Sequence, residues 1–321
     1  MTYGDAARLA LAEEMRRDAR VWALGEDVGR GGVFGQYAGL QAEFGAERIA
    51  DSPISEAAIM GVAVGAAMAG TRPVAEMRIS DFALCAVDEL VNQAAKARFM
   101  LGGQVRVPLV VRQPMGIWPA LAAQHSQSLE AWYTHVPGLV VVAPATPADN
   151  RGLLKSAIRS DDPVVYMEHK DLWKDTGPVP DGDDVLVPLG KARLARPGDD
   201  VTVVTWSGMV RTCVQAADDL AGQRVSAEVI DLRTLWPWDQ DAVLASVEKT
   251  GRLLVAHEAV LASGFGAEVA ATVSERLFGR LKAPVRRLGG PRMPIPYSPP
   301  LEAQARRTAA DVARAVRGLM Q

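Results

Sequence analysis

The chain has 321 residues, 49% of them hydrophobic and 23% charged, with a formal net charge of −3. That length exceeds what one hydrophobic core usually fills, so two domains are expected. The near-neutral balance lacks the basic face of a nucleic-acid binder, and no uninterrupted run of about eighteen apolar residues marks a transmembrane helix.

The start, Met1-Thr2-Tyr3-Gly4-Asp5, passes into an amphipathic pattern without the basic start and apolar stretch of a secretory signal, so a cytoplasmic location is expected. Val21 to Gly25, Arg72 to Met77, Val107 to Arg112, Leu139 to Pro144 and Pro163 to Met167 read as buried strands of a parallel sheet. Between them Asp81 to Leu101 and Thr146 to Arg159 carry apolar residues at helical spacing. This alternation predicts a doubly wound α/β domain. From Asp171 to Asp184, Gly177, Pro178, Pro180 and Gly182 among several acids predict an exposed linker. The alternation then restarts with strands at Val201 to Thr205, Ala227 to Leu232, Leu253 to His257 and Val285 to Leu288, and a last helix from about Thr308 to Met320. Domains over 1–180 and 181–321 are therefore expected. Cys85 and Cys213 lie far apart without metal-ligand spacing and are expected to be buried thiols.

Two segments carry candidate chemistry. In Asp51-Ser52-Pro53-Ile54-Ser55-Glu56, Ser55 is placed to cap a helix and Glu56 to fall in its first turn. A carboxylate there can simply complement the helix macrodipole, or it can serve a ligand. The helix from Ala57 to Gly70 is almost free of polar side chains and sets Gly61, Gly65 and Ala69 four residues apart, which fits either a tight crossing inside the domain or a subunit interface. The second segment, Gln124-His125-Ser126-Gln127-Ser128-Leu129-Glu130-Ala131-Trp132, follows a loop after a buried strand, where α/β proteins bind ligands. His125 there is open to a structural role or to proton transfer.

Gly25-Glu26-Asp27-Val28, the Asp51 to Glu56 segment, Asp81-Phe82, the Gln124 to Trp132 segment, His135-Val136-Pro137-Gly138-Leu139, Ala157-Ile158-Arg159 with Asp162-Pro163-Val164, and Glu168-His169-Lys170 succeed one another in order. Val229-Ile230-Asp231-Leu232-Arg233-Thr234, Lys249-Thr250-Gly251-Arg252-Leu253 and Pro294-Ile295-Pro296-Tyr297 continue the series. Together they resemble, over essentially the whole chain, the beta subunit of pyruvate, branched-chain 2-oxo acid and acetoin dehydrogenases. The resemblance implies an N-terminal pyrimidine-binding transketolase-like domain and a smaller C-terminal transketolase-like domain used for dimerisation and acyltransferase docking.

It further implies thiamine diphosphate as cofactor. Glu56 then corresponds to the glutamate that hydrogen-bonds N1′ of the aminopyrimidine, favouring the imino tautomer that removes the C2 proton; the carbanion chemistry belongs to the cofactor. Phe82 matches the aromatic position against the pyrimidine, Ile54 and Arg78 align beside the same ring, and His125 matches the histidine near the thiazolium. The carbonyls of Leu109, Ala157, Ile158, Ser160 and Asp162 fall where some relatives hold a structural potassium ion. Two departures bear on the substrate: Met115-Gly116-Ile117-Trp118-Pro119 is bulkier than the glycine-rich loop relatives often have, and Arg78 replaces a neutral residue.

Thiamine-diphosphate enzymes hold the diphosphate through magnesium bound by a Gly-Asp-Gly motif followed by Asn-Asn, hard oxygen ligands suited to that ion. This chain has neither, and its two asparagines, Asn92 and Asn150, are separate. The resemblance assigns Mg2+ to an alpha subunit in an alpha2-beta2 assembly, with a lipoyl acyltransferase core as further partner and a small 2-oxo acid or acetoin as substrate; no nucleic acid or membrane is involved. The alternatives are a half-transketolase acting on sugar phosphates, for which only Arg78 and Arg112 are suggestive, and a non-catalytic assembly subunit, against which retention of Glu56 and His125 argues.

Overall fold

The computed structural model describes residues 1–182 and 185–321; Asp183 and Asp184, the end of the expected linker, lie outside the described residues. The chain divides into two units: Met1–Met115 with Trp132–Leu189, and Gly116–Ala131 with Gly190–Gln321. The loop carrying His125 belongs to the second unit.

The first unit carries β1 (Val21–Gly25), β2 (Ile49–Asp51), β3 (Arg72–Glu76), β4 (Val110–Met115), β5 (Val140–Val142) and β6 (Val164–His169). Within it the strands run β5-β6-β4-β3-β1-β2, every pairing parallel. Its helices are α1 (Tyr3–Arg17), α2 (Leu40–Phe44), α3 (Glu56–Met68), α4 (Ala95–Met100) and α6 (Pro147–Arg159), with the short α5 (Glu130–Thr134) spanning the division. Thr2 and Thr146 cap α1 and α6 by accepting the amides of Asp5 and Asp149, and Pro147 opens α6 where its missing N–H costs nothing. Ala7, Leu11 and Met15 of α1 and Leu153, Leu154 and Ile158 of α6 share one core with Val21, Val74, Val110 and Val164.

Four expectations are corrected. The strand expected from Val107 starts only at Val110, because Pro108 has no N–H for a ladder. The helix expected over Asp81 to Leu101 is a 3-10 turn (Phe82–Ala86), a π turn (Glu89–Ala94) and α4, a sequence of windings that turns Ala83, Ala86, Leu90 and Ala94 inward and leaves Cys85 exposed. Cys213 alone of the two thiols is buried. The start of the expected linker is packed: Leu172 and Trp173 are buried, with Trp173 edge-on to Tyr3 at 5.9 Å and stacked on Phe34 at 5.5 Å.

The second unit holds β7 (Arg193–Arg196), β8 (Val201–Thr205), β9 (Ala227–Asp231), β10 (Thr234–Trp236), β11 (Leu253–Val260) and β12 (Arg286–Gly290). Five of these form a sheet in the order β12-β11-β8-β9-β7, parallel except for the edge strand β7. Strands β8 and β9 are buried at every residue, as strands covered on both faces must be. The helices are α7 (Met209–Ala221), α8 (Gln240–Thr250), α9 (Gly266–Arg276), α10 (Pro299–Ala305) and α11 (Ala309–Met320). Thr308 and Asp311 form a capping box at α11, whose Val312, Val316 and Leu319 join Cys213, Leu220 and Val203 in the core. No helix among the described residues is long and apolar enough to cross a membrane.

Candidate active site

Strands β3, β1 and β2 are adjacent and parallel, so the segments leaving Glu76, Gly25 and Asp51 emerge at one edge of the sheet. Ligands of open α/β sheets bind at such carboxyl ends. Ile54, Glu56, Arg78 and Phe82 all lie on these segments. Glu56 is the first residue of α3 and is half-buried. Its side chain makes no hydrogen bond or ion pair to the described residues. Ser55 stands at the cap position but makes no side-chain cap bond, its backbone (φ −166, ψ 84) departing from cap geometry. The expected Ser55 cap is therefore absent, and the first turn keeps unsatisfied donors beside a carboxylate that can accept a partner. Two residues earlier, Ile54 leaves 77% of its surface exposed.

Arg78 meets two acids from the loop after β1. Its Nη1 donates to Glu26 Oε2 at 3.2 Å and to Asp27 Oδ2 at 3.4 Å. Arg78 (φ 44) and Asp27 (φ 56) both hold left-handed backbone, at a cost of about 1–3 kcal/mol each. The same loop is tied to β2 by Asp51, which accepts the Gly29 amide at 2.8 Å. Glu26, Asp27 and Asp51 were not singled out from sequence; two acids directly after β1, and one ending β2, were the available signal. Phe82 opens the 3-10 turn that follows Asp81, its amide bonded to the Ile79 carbonyl at 3.0 Å.

Beneath this edge lies a buried polar network. Arg112, fully buried on β4, donates from Nε and Nη2 to Glu168 on β6 at 2.8 and 2.9 Å, and its guanidinium lies 5.2 Å from the Tyr37 ring centroid. Asn150 donates to Glu168, and the Tyr37 hydroxyl to Glu76 at 2.9 Å. Burial pushes the Glu76 carboxyl up to about 7, against the Arg112 charge that lowers it. Arg112 is thus paired with Glu168, and Arg78 with Glu26 and Asp27.

Helix α3 buries Ile59, Met60, Ala63, Val64 and Ala67 and leaves Gly61, Val62, Gly65, Met68 and Ala69 exposed. A Cβ built on Gly65 would meet nothing within 4 Å, and one on Gly61 only Glu89 Cγ at 3.9 Å. The small-residue face therefore makes no crossing with the described residues.

His125, half-buried, ends a 3-10 turn (Ala123–His125) in the second unit. In the bulky segment before it, Met115 and Ile117 are buried and Trp118 is half-buried, so most of its bulk is packed inward. The five carbonyls expected around potassium each accept one bond. Leu109 takes the Val164 amide (2.8 Å), Ala157 the Ser160 amide (3.1 Å), Ile158 and Ser160 the Arg72 guanidinium (3.0 and 2.8 Å), and Asp162 the Ser160 hydroxyl (3.1 Å). Each oxygen retains a second lone pair, and Ala157, Ile158 and Ser160 stand at the negative end of α6.

Residues 1–175 match the family "Transketolase, pyrimidine binding domain" and residues 190–312 "Transketolase, C-terminal domain". The chain is 47% identical over 305 residues to the 2-oxoisovalerate dehydrogenase subunit beta of Bacillus subtilis, covering 94% of this chain and 93% of that one. It is 44% identical to the acetoin:2,6-dichlorophenolindophenol oxidoreductase subunit beta of Cupriavidus necator, covering 97% and 95%. It is 43% identical to the pyruvate dehydrogenase E1 component subunit beta of Rhizobium meliloti, covering 99% and 70%.

Proposed function

The chain belongs to the transketolase-like family of beta subunits of thiamine-diphosphate-dependent 2-oxo acid and acetoin dehydrogenases, and we propose that it supplies the pyrimidine-binding half of an active site completed by an alpha subunit. One observation carries the division of roles: Glu56 presents a half-buried carboxylate, without a partner among the described residues, at the ligand-binding edge of the sheet. A carboxylate so placed calls for a proton-sharing partner.

When bound, thiamine diphosphate supplies the nucleophilic carbon that decarboxylates a 2-oxo acid or cleaves acetoin, the acyl group passing to lipoamide. Glu56 would hold the aminopyrimidine through N1′, sharing a proton with it. Ile54 and Phe82 offer apolar surface to the ring, and Arg78, steadied by Glu26 and Asp27, sets the charge beside it. His125 moves a proton, or presents the lipoyl acceptor, during acyl transfer. Magnesium is assigned to the alpha subunit, because this chain has neither Gly-Asp-Gly nor paired asparagines. The bare face of α3 is assigned to a subunit contact in an alpha2-beta2 assembly, and the C-terminal unit to docking of the acyltransferase core. Leu109, Ala157, Ile158, Ser160 and Asp162 offer a carbonyl set that suits potassium.

Reconstitution with the alpha partner, followed by assay of pyruvate, branched-chain 2-oxo acids and acetoin with lipoamide, tests this reading. Turnover of one of these substrates only when both chains are present is expected. Turnover by this chain alone, or of a sugar phosphate in place of all three, would overturn it.

A further inference from the structure

We infer that Glu258 and Glu302 are positioning residues for His125, an inference that rests on the role proposed above for that histidine. The loop is closed at its neck by the Gly116 amide, which donates to the Gln127 carbonyl at 3.2 Å. Inside it the backbone is strained. Ala120 has φ 58 and Ala122 has φ 61 with ψ −164, the latter a conformation essentially reserved for glycine. Alanines hold such angles only where their surroundings enforce them.

The enforcement comes from two carboxylates far away in sequence. Glu258, in β11, accepts the Ile117 amide at 2.7 Å, and Glu302, in α10, accepts the Ala120 amide at 2.9 Å. Bonds to an ionised acceptor are roughly twice as strong as neutral ones. Glu302 is only 5% exposed and is itself gripped by Arg306 Nη2 at 3.0 Å, so its carboxylate is not free to swing. On the far side of His125, buried Glu130 accepts the indole N–H of Trp206 at 3.0 Å. His125 therefore sits on a turn that starts at the strained Ala122 and is pinned on both flanks by the second unit. Freeing either amide lets Ala122 return to ordinary φ, which re-aims the turn and the imidazole it carries.

The test uses the assembled complex with the alpha subunit. Glu258→Ala and Glu302→Ala should each lower kcat for acyl transfer to lipoamide about tenfold or more, with KM for the 2-oxo acid or acetoin nearly unchanged. Glu258→Gln and Glu302→Gln should recover most of the loss, since an amide oxygen accepts the same bond. The double variant His125→Ala with Glu258→Ala should be no slower than His125→Ala alone, because residues acting through one group are not additive. Hydrogen exchange over 116–127 should accelerate in both Ala variants. Unchanged exchange, or losses that add in the double variant, would overturn the inference. If His125→Ala is impaired while both Glu→Ala variants match the wild type, the positioning role alone fails. If His125→Ala turns over at the wild-type rate, the role of His125 fails and the positioning role with it.

Discussion

Arg112 and Glu168 form a bidentate ion pair, 2.8 and 2.9 Å long, with both side chains fully buried between adjacent parallel strands. A buried pair contributes little over an apolar replacement but is costly to break, since the survivor is left charged in a dry interior. Glu168→Ala should therefore cost about 3 to 5 kcal/mol of unfolding free energy. Arg112→Met combined with Glu168→Leu should cost clearly less than that single change. Urea denaturation of the two variants checks this, and equal destabilisation by the single and the double change would contradict it.

Glu76 gives stability a pH dependence of definite sign. In the folded chain burial raises its carboxyl from the ordinary 4.5 to about 7, so it keeps a proton that the unfolded chain has released. Its contribution is full below pH 4.5 and is lost as pH rises toward 7. Glu76→Gln should remove that loss, so the difference in urea midpoint between variant and wild type should shift in the variant's favour across this interval. A constant difference from pH 4.5 to 7 would contradict the buried, protonated carboxyl.

The bare face of α3 predicts an assembly defect without a folding defect. Nothing lies within 4 Å of a Cβ at Gly65, so Gly65→Trp should fold normally when the chain is alone. In complex with its partner the same side chain overpacks the contact, at about 1 to 3 kcal/mol or roughly five- to hundredfold in Kd. Light scattering with the alpha subunit, alongside a thermal melt, separates the two effects. Unchanged assembly would show that the small-residue face is not an interface.

Much of this structure was legible in the sequence because the relevant signals are local. Continuous β-branched runs such as Val201 to Thr205 are buried strands, and Thr146 and Thr308 stand before helices they cap. Glu56 was singled out by its place in a helix's first turn and Phe82 by the family resemblance alone; parallel strands deliver the segments that carry both to one edge. What escaped is non-local. The inward packing of Leu172 and Trp173 depends on Tyr3 and Phe34, far away in the chain. The His125 loop joins the second unit through Glu258 and Glu302, neither of which has a local signature. Arg78 was noted as unusual, but its meeting with Glu26 and Asp27 requires left-handed backbone at Arg78 and Asp27, which residue type does not reveal.

Glu56 is the position on which the proposed chemistry turns, and Glu56→Gln separates its two explanations. Gln keeps the size and one hydrogen bond but cannot share the acidic proton with N1′. General acid-base contributions of this kind are about a hundred- to ten-thousandfold in rate, or roughly 3 to 5 kcal/mol of barrier. A residue serving only the helix macrodipole would cost about 0.3 to 1 kcal/mol of stability and leave turnover per folded complex nearly unchanged. The decisive measurement is exchange of the cofactor C2 proton in the Glu56→Gln complex with its alpha subunit. Exchange slowed about a hundredfold or more, with assembly intact, is the predicted result; exchange at the wild-type rate would contradict the assignment of Glu56.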